Sequence, residues 1–321
     1  MQFGHFDDEA REYVITTPHT PYPWINYLGA QDFFGLVSHT GGGYSFYRDA
    51  KLRRLTRYRY NNVPVDDGGR YFTINDGGDV WSPGFRPYKT ELDRFETRHG
   101  MGYTRITGER GGLEASVLFF VPVDTNAEIH QVTLTNTSDA DKSVSLFAFL
   151  EFCLWNAEDD QTNYQRNLSI GEVEVVDGAI YHKTEYRERR DHYAVYGVNA
   201  PIEGFDTDRD TFLGFGNGFD EAAVPHAAKS GDSIVSGWYP IASHHLKADL
   251  EPGESRTFTF VLGYLENDRD NKWEAPGIIN KSGARELLAR FATNEAADAA
   301  FAQAQRLLGR PARLVHRHLG R

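Results

Sequence analysis

The segment FCLWNAEDDQTNYQRN, Phe152 to Asn167, gathers Trp155, Asn156, Asp159, Asp160, Asn163, Tyr164, Gln165, Arg166 and Asn167 in one short stretch. Amides and a guanidinium offer directional hydrogen-bond donors for hydroxyls or phosphate. Indole and phenol rings add flat apolar faces on which a pyranose can stack. A second concentration is Gly43-Tyr44-Ser45-Phe46-Tyr47-Arg48-Asp49, followed by Arg53, Arg54, Arg57 and Arg59 interleaved with Tyr58 and Tyr60. These arginines could bind an anion or could pair with the chain's surplus of acids.

Other chemistries find less support. Gly41-Gly42-Gly43 lacks the spaced glycines and following lysine of a phosphate loop and reads as a backbone turn. The adjacent His244-His245 would point to opposite faces of a strand, so they make no metal pair, and no metal site is expected. There is no G-x-S-x-G elbow. Cys153, the single cysteine, sits in the apolar run Phe152-Cys153-Leu154-Trp155, where a thiol is expected to be buried and inert. The acid pairs Asp7-Asp8, Asp66-Asp67 and Asp159-Asp160 read as loop residues, because a glycosidase needs two carboxyls set apart across a cleft. No residue is assigned a catalytic role.

The elements that must position these groups read as strands. Leu113–Val121, Glu128–Thr135, Ser143–Phe152, Ile180–Thr184, His192–Val198, His244–Leu250 and Ser255–Tyr264 alternate or run apolar, with turn clusters such as Asn136-Thr137-Ser138-Asp139 and Glu251-Pro252-Gly253-Glu254 between them. Arg70–Ile74, Glu172–Val176, Asp210–Gly214 and Ser233–Ser236 are further candidates. In Ser143–Phe152 both faces are apolar, which suits a strand covered on both sides. Asn271–Ile279 reads as a connector. Ser282 is expected to cap a helix over 283–291, and Thr293 or Asn294 a second helix over 295–308. The pattern predicts a mainly β protein, a large antiparallel sandwich followed by a short α-helical linker.

Composition agrees. Aromatic residues make up 13% of the 321 residues, which suits pleated sheet and also sugar binding. A net charge of −12 argues against a nucleic-acid partner. No apolar run approaches the ~20 residues that span a bilayer, so no membrane partner is expected. The start has no secretory pattern and one cysteine cannot close an internal disulfide, so a cytoplasmic location is the default. Gln305–Arg321 holds five arginines and no acid, an abrupt break with the rest of the chain.

PWINYLG (23–29), GGYSFYRDAKLRRLTRYRYNNVP (42–64), RHGMGYT (98–104), FCLWNAEDDQTNYQRNLSIGEVEV (152–175) and YHKTEYRERRDH (181–192) together resemble the amino-terminal region of the cellobiose phosphorylases. These are the inverting disaccharide phosphorylases of glycoside hydrolase family 94, grouped with chitobiose and cellodextrin phosphorylases. The resemblance implies a galactose-mutarotase-like β super-sandwich over 1–270 and a helical linker over 271–308. Residues 309–321 form a basic tail of uncertain origin, outside the resemblance. In the family, phosphate attacks the anomeric carbon of cellobiose with inversion, giving α-glucose 1-phosphate and glucose. Inorganic phosphate is then the co-substrate and no other cofactor is implied.

The family's catalytic Asp and barrel match nothing in this chain, so the chain is expected to be inactive alone, as from a truncated or frameshifted gene. An exposed apolar patch is then expected where the barrel would pack. What the resemblance carries over is a pocket rim: Arg166 first, then Gln165 and Asn163, as acceptor-sugar contacts, with Tyr47, Arg48 and Asp49 as rim or intersubunit candidates. The implied partners are a β-linked glucose disaccharide or glucose, and a second copy in a homodimer or a separate catalytic barrel. The alternatives are a stand-alone carbohydrate-binding or complementing subunit, and a structural dimer-forming β protein.

Overall fold

The computed structural model describes residues 2–59, 66–163, 171–184, 190–237 and 239–308. The first part of the chain gives β1 (Gly4–Asp7), β2 (Glu12–Ile15), β3 (Ile25–Ala30), β4 (Phe33–Ser38), β5 (Gly43–Tyr47), β6 (Arg54–Thr56), β7 (Arg70–Asp76) and β8 (Asp79–Trp81). Next come β9 (Arg94–Gly100), β10 (Tyr103–Arg110), β11 (Leu113–Phe120), β12 (Ala127–Asn136) and β13 (Lys142–Trp155), then helix α1 (Ala157–Thr162). Strands β14 (Gly171–Val176), β15 (Ala179–Thr184), β16 (His192–Val198) and β17 (Gly204–Asp208) lead to short helices α2 (Arg209–Leu213) and α3 (Ala223–Ala227). The chain continues through β18 (Ser236–Gly237), β19 (Pro240–Leu250), β20 (Ser255–Glu266), the small pair β21 (Trp273–Ala275) and β22 (Ile278–Ile279), α4 (Ser282–Arg290) and α5 (Asn294–Leu308).

The described strands form two large antiparallel sheets. One has 11 strands in the order β1-β2-β9-β10-β11-β12-β20-β16-β15-β14-β18. The other has 9, in the order β17-β19-β13-β6-β5-β4-β3, with β7 and β8 joined at β13. The reason lies in alternation. Along β13, Val144, Leu146, Ala148 and Leu150 enter the core between the sheets, while Phe147 and Phe149 pack on the other side against Phe212, Leu213 and Val224 of α2 and α3. A strand apolar on both faces belongs in the middle of a covered sheet. Helices α4 and α5 cover the outer face of the 11-stranded sheet through Ala284, Leu287, Ala297 and Ala300, with Phe291, the residue after α4, beside them. The mainly β super-sandwich followed by a short helical segment is therefore present.

A buried ion cluster sits inside the core. Arg70 Nε and Ser45 Oγ donate to Glu128 at 2.8 and 2.6 Å, and His130 Nε2 lies 2.9 Å from the same carboxylate. A Cβ on Gly35 would lie 2.5 Å from Glu128 Oε2, so the carboxylate needs glycine there.

Four local expectations need correction. Asp210–Gly214 is not a strand: Asp208 accepts from Asp210 N (3.0 Å) and from Thr211 Oγ1 (2.9 Å), capping helix α2. Ser233–Ser236 makes only an isolated bridge from Ser233 to Asp206 before β18 begins. The 271–279 connector contains the β21–β22 pair. Ser282 is the first helical residue and caps nothing; its N–H donates to Asn280 Oδ1 at 3.0 Å. No described helix is long and apolar enough to cross a membrane. The basic tail 309–321 lies outside the described residues.

Candidate functional site

Strand β13 ends in an irregular register between Phe152 and Trp155. Trp155 takes φ +65°, and Asn156 then starts α1, its side chain accepting from Glu158 N and Asp159 N at 3.1 and 3.2 Å. A bulge of this kind re-aims the strand end. The redirection turns α1 back beside β13, so that Asp160 meets Arg57, the residue after β6. Arg57 Nε and Nη2 donate to the two Asp160 oxygens at 2.7 and 2.6 Å, and Nη1 donates to Glu151 Oε1 at 2.8 Å. All three side chains are buried. Burial opposes the Arg57 charge, but Glu151 and Asp160 more than offset it and hold its pKa above the usual value.

Arg57 and Glu151 of this triad line a recess of about 190 Å³ on the outer face of the nine-stranded sheet. Its lining includes Arg57, Tyr58, Arg59, Glu151, Arg209 and Tyr239. Asp67, also in its wall, has a carboxyl raised above the usual range by burial. Arg209, brought by α2, lies 3.2 Å from Glu151 Oε1. The Tyr239 ring has guanidinium carbons of Arg57 and Arg209 at 4.9 and 5.8 Å from its centroid. Arg59 Nε is buried without a hydrogen-bond partner among the described residues. Asp66 pins the wall by accepting from Ser38 and Thr40 hydroxyls, both at 2.6 Å, and from Tyr58 OH at 3.0 Å. The arrangement offers guanidinium donors, carboxyl acceptors and an aromatic face in one concavity, which is the chemistry that binds a polyhydroxylated ring.

The sequence-predicted residues fall as follows. Gln165 and Arg166 lie outside the described residues. Asn163 is the C-cap of α1, its N–H donating to Asp159 O at 2.8 Å. Tyr47 stacks on Tyr264 with centroids 4.1 Å apart. Arg48 pairs with Asp32 at 2.7 Å on the surface. Asp49 accepts from the Lys51 and Leu52 amides at 2.8 and 2.9 Å and so builds the β5–β6 turn. That turn and α1 are brought together: Ala157 N donates to Lys51 O at 2.7 Å, and Lys51 pairs with Glu158.

The arginine run divides its work. Arg57 pairs with acids, Arg53 meets His192, Tyr264 and Glu266, and the Arg54 guanidinium lies 3.9 Å from the Tyr44 ring centroid. Cys153 is buried, its thiol pKa raised by burial and by Asp160. His244 faces the core and His245 stacks on Phe147 outside it, at 4.3 Å. No cluster of metal-ligating side chains occurs among the described residues.

Sequence reasoning missed Arg209, Tyr239, Phe219 and Glu151 as recess residues. Arg209 adjoined a segment read as a strand, and the Asp208 cap was the available signal. Glu151 carried none, since its role comes only from the cross-strand position beside Arg57.

Comparison with known proteins places the chain. Residues 11–294 match the family described as Glycosyl hydrolase 94, supersandwich domain. The chain is 32% identical over 311 residues to an N,N'-diacetylchitobiose phosphorylase of Vibrio furnissii, covering 94% of this chain and 36% of that protein. It is 35% identical over 283 residues to the N,N'-diacetylchitobiose phosphorylase of Vibrio proteolyticus, covering 82% of this chain and 33% of that one. It thus spans about a third of the length of these curated relatives. A solved structure of a putative kojibiose phosphorylase from the human microbiome shares the fold, with a TM-score of 0.54 at 9% identity over 96% of this chain and 38% of that one. A match over so much of the sequence settles the affiliation: the chain belongs to the glycosyl hydrolase 94 family and carries its supersandwich domain.

Proposed function

We propose that this chain is the sugar-recognising super-sandwich portion of a phosphorylase acting on a β-linked disaccharide, and that it holds the acceptor-side hexose at the recess. The observation that supports this reading is the recess itself, with Tyr239 beside two guanidiniums and Glu151 and Asp67 within the same wall. A hexose ring stacks on the phenol while its hydroxyls donate to the carboxylates and accept from Arg59 and Arg209. Asn163, Gln165 and Arg166 come after α1 in the sequence, and Asp160 locks α1 to Arg57 of the recess lining, so the salt bridge that holds Arg57 also anchors the start of that segment.

Cellobiose is the disaccharide suggested by the sequence motifs, and N,N'-diacetylchitobiose the one named by two relatives. Glu151 in the recess is tied to the guanidiniums of Arg57 and Arg209, which suits binding rather than proton donation to a leaving oxygen. The purified chain is therefore expected to bind sugar and to release no glucose 1-phosphate from cellobiose and phosphate.

Calorimetric titration with glucose, cellobiose and N,N'-diacetylchitobiose tests this. Saturable binding weakened about tenfold or more by Arg209→Ala is expected, the loss of one charge-assisted contact being worth roughly 1.5–3 kcal/mol. Absence of saturable binding to all three sugars, or phosphate-dependent glucose 1-phosphate release by the chain, would overturn it.

A further inference from the structure

We propose that the outer face of β3–β6 is a second sugar-contacting surface, along which further units of a β-linked oligosaccharide lie as they leave the recess. The inference rests on the recess being the sugar site. Phe34 on β4 pairs across the strands with Phe46 on β5, and Phe46 with Arg54 on β6. The two phenylalanine rings stack at 5.4 Å with 25° between their planes. Phe46 meets Tyr44 at 5.9 Å, and Tyr44 meets Tyr58 at 6.1 Å. Tyr58 is a wall of the recess. The rings thus touch one another from the recess out to Phe34, with Tyr44 buried beneath the Arg54 guanidinium and Phe46, Phe34 and Tyr27 the ones that reach the surface. In the neighbouring row Tyr27 pairs with Leu36, and Leu36 with Tyr44. Tyr27 stands on the edge strand and is 71% exposed.

The side chains face away from the core because Leu28, Phe33 and Val37, one residue removed, fill it. Helices α2 and α3 cover the other half of this sheet's outer face, around Phe147 and Phe149. Phe34 and Phe46 are half-buried.

The occupant follows from area and continuity. A stable protein interface buries about 800 Å² per partner. Phe34, Phe46 and Tyr27, with Tyr44 already 7% exposed beneath Arg54, fall short of that on their own. They do suit a narrow ligand. Neighbouring strands lie about 4.8 Å apart, close to the length of one hexose, so rings on successive strands can each stack on a successive sugar unit. The row also begins at a polar concavity that holds the first one.

The experiment is calorimetric titration of the chain with the cello- or chito-oligosaccharide series, whichever disaccharide binds, from the disaccharide to the pentasaccharide. The wild-type affinity is expected to rise about tenfold along the series. Phe34→Ala and Tyr27→Ala are each expected to reduce that rise several-fold while leaving the disaccharide affinity unchanged. Tyr27 is largely in solvent, so its substitution does not depend on core packing. Arg209→Ala is expected to weaken every member of the series alike. A wild-type affinity equal for disaccharide and pentasaccharide overturns this inference and leaves the recess reading standing. Absence of any sugar binding removes both. Sedimentation showing a dimer that Tyr27→Ala dissociates, with the length dependence unchanged, assigns the face to a second copy and also overturns it.

Discussion

Arg57 is the side chain on which the recess depends. It is buried, it neutralises Glu151 and Asp160, and it joins β6, β13 and α1. Removing one partner of a buried ion pair strands the others, which costs about 3–5 kcal/mol. Arg57→Ala is therefore expected to lower the urea midpoint of unfolding by that equivalent. Arg57→Lys keeps the charge but loses the fork that grips both Asp160 oxygens, and is expected to recover only part of the loss. Little of this was legible from sequence. The arginine run was visible, and so was its pairing with acids as one of two readings. Which arginine takes which acid is decided by the Trp155 bulge, and a positive φ at a tryptophan has no sequence signature.

At the scale of elements, alternation and turn residues made β7 and the long strands β11–β16, β19 and β20 readable, and α4 and α5 emerged from their periodicity, whereas β1–β6, β8–β10 and β17 carried too little alternation to be read as strands. The misread pieces are short. A five-residue helix such as α2 has no period to count, and only its Asp208 cap marks it. The second helix was legible down to its first turn: Thr293 Oγ1 accepts from Ala296 N at 3.3 Å. Asn294 does something else. Its side chain accepts from Asn199 and Thr259 at 2.8 and 2.9 Å and donates to Thr257 O at 3.0 Å, which ties α5 to β20. Thr293→Ala is expected to cost about 1 kcal/mol. Asn294→Ala is expected to cost about 1–3 kcal/mol, because it leaves part-buried donors unpaired. Comparing the two by chemical denaturation separates capping from docking.

For the whole molecule, buried histidines and one buried glutamate set the response to acid. Burial, reinforced by Arg53, pushes His192 down to about 3; burial, with Arg190 and Arg57, does the same to His182. Burial also pushes His244 to about 4. Each is neutral when folded and charges near pH 6.5 when unfolded, so each contributes stability that is complete above pH 6.5 and is lost as pH falls below it. The slope is about 1.4 kcal/mol per pH unit for each histidine. Burial opposes the Glu128 charge, but Arg70 and His130 bring its carboxyl to about 2. Its contribution is present above about pH 4.5 and is lost as pH falls toward 2. Unfolding free energy measured from pH 8 to pH 3 is expected to fall continuously from about pH 6.5, and Glu128→Gln is expected to make the fall below pH 4.5 shallower by the Glu128 share, the histidine share remaining. A flat profile from pH 7 to pH 5 contradicts this.

The pairing of β12 with β20 carries a consequence for synthesis. Thr135 lies opposite Ser255, and Ala127 opposite Gly263. A ribosome adding about 5–20 residues per second leaves β12 waiting for roughly 6–25 s before its second neighbour exists. During that interval an unpaired ladder edge, Ile129 to Leu134, with Ile129, Val132 and Leu134 uncovered, faces whatever else is in the cell. The nascent chain is thus a natural client for a chaperone, and expression without one should favour aggregates seeded at that strand.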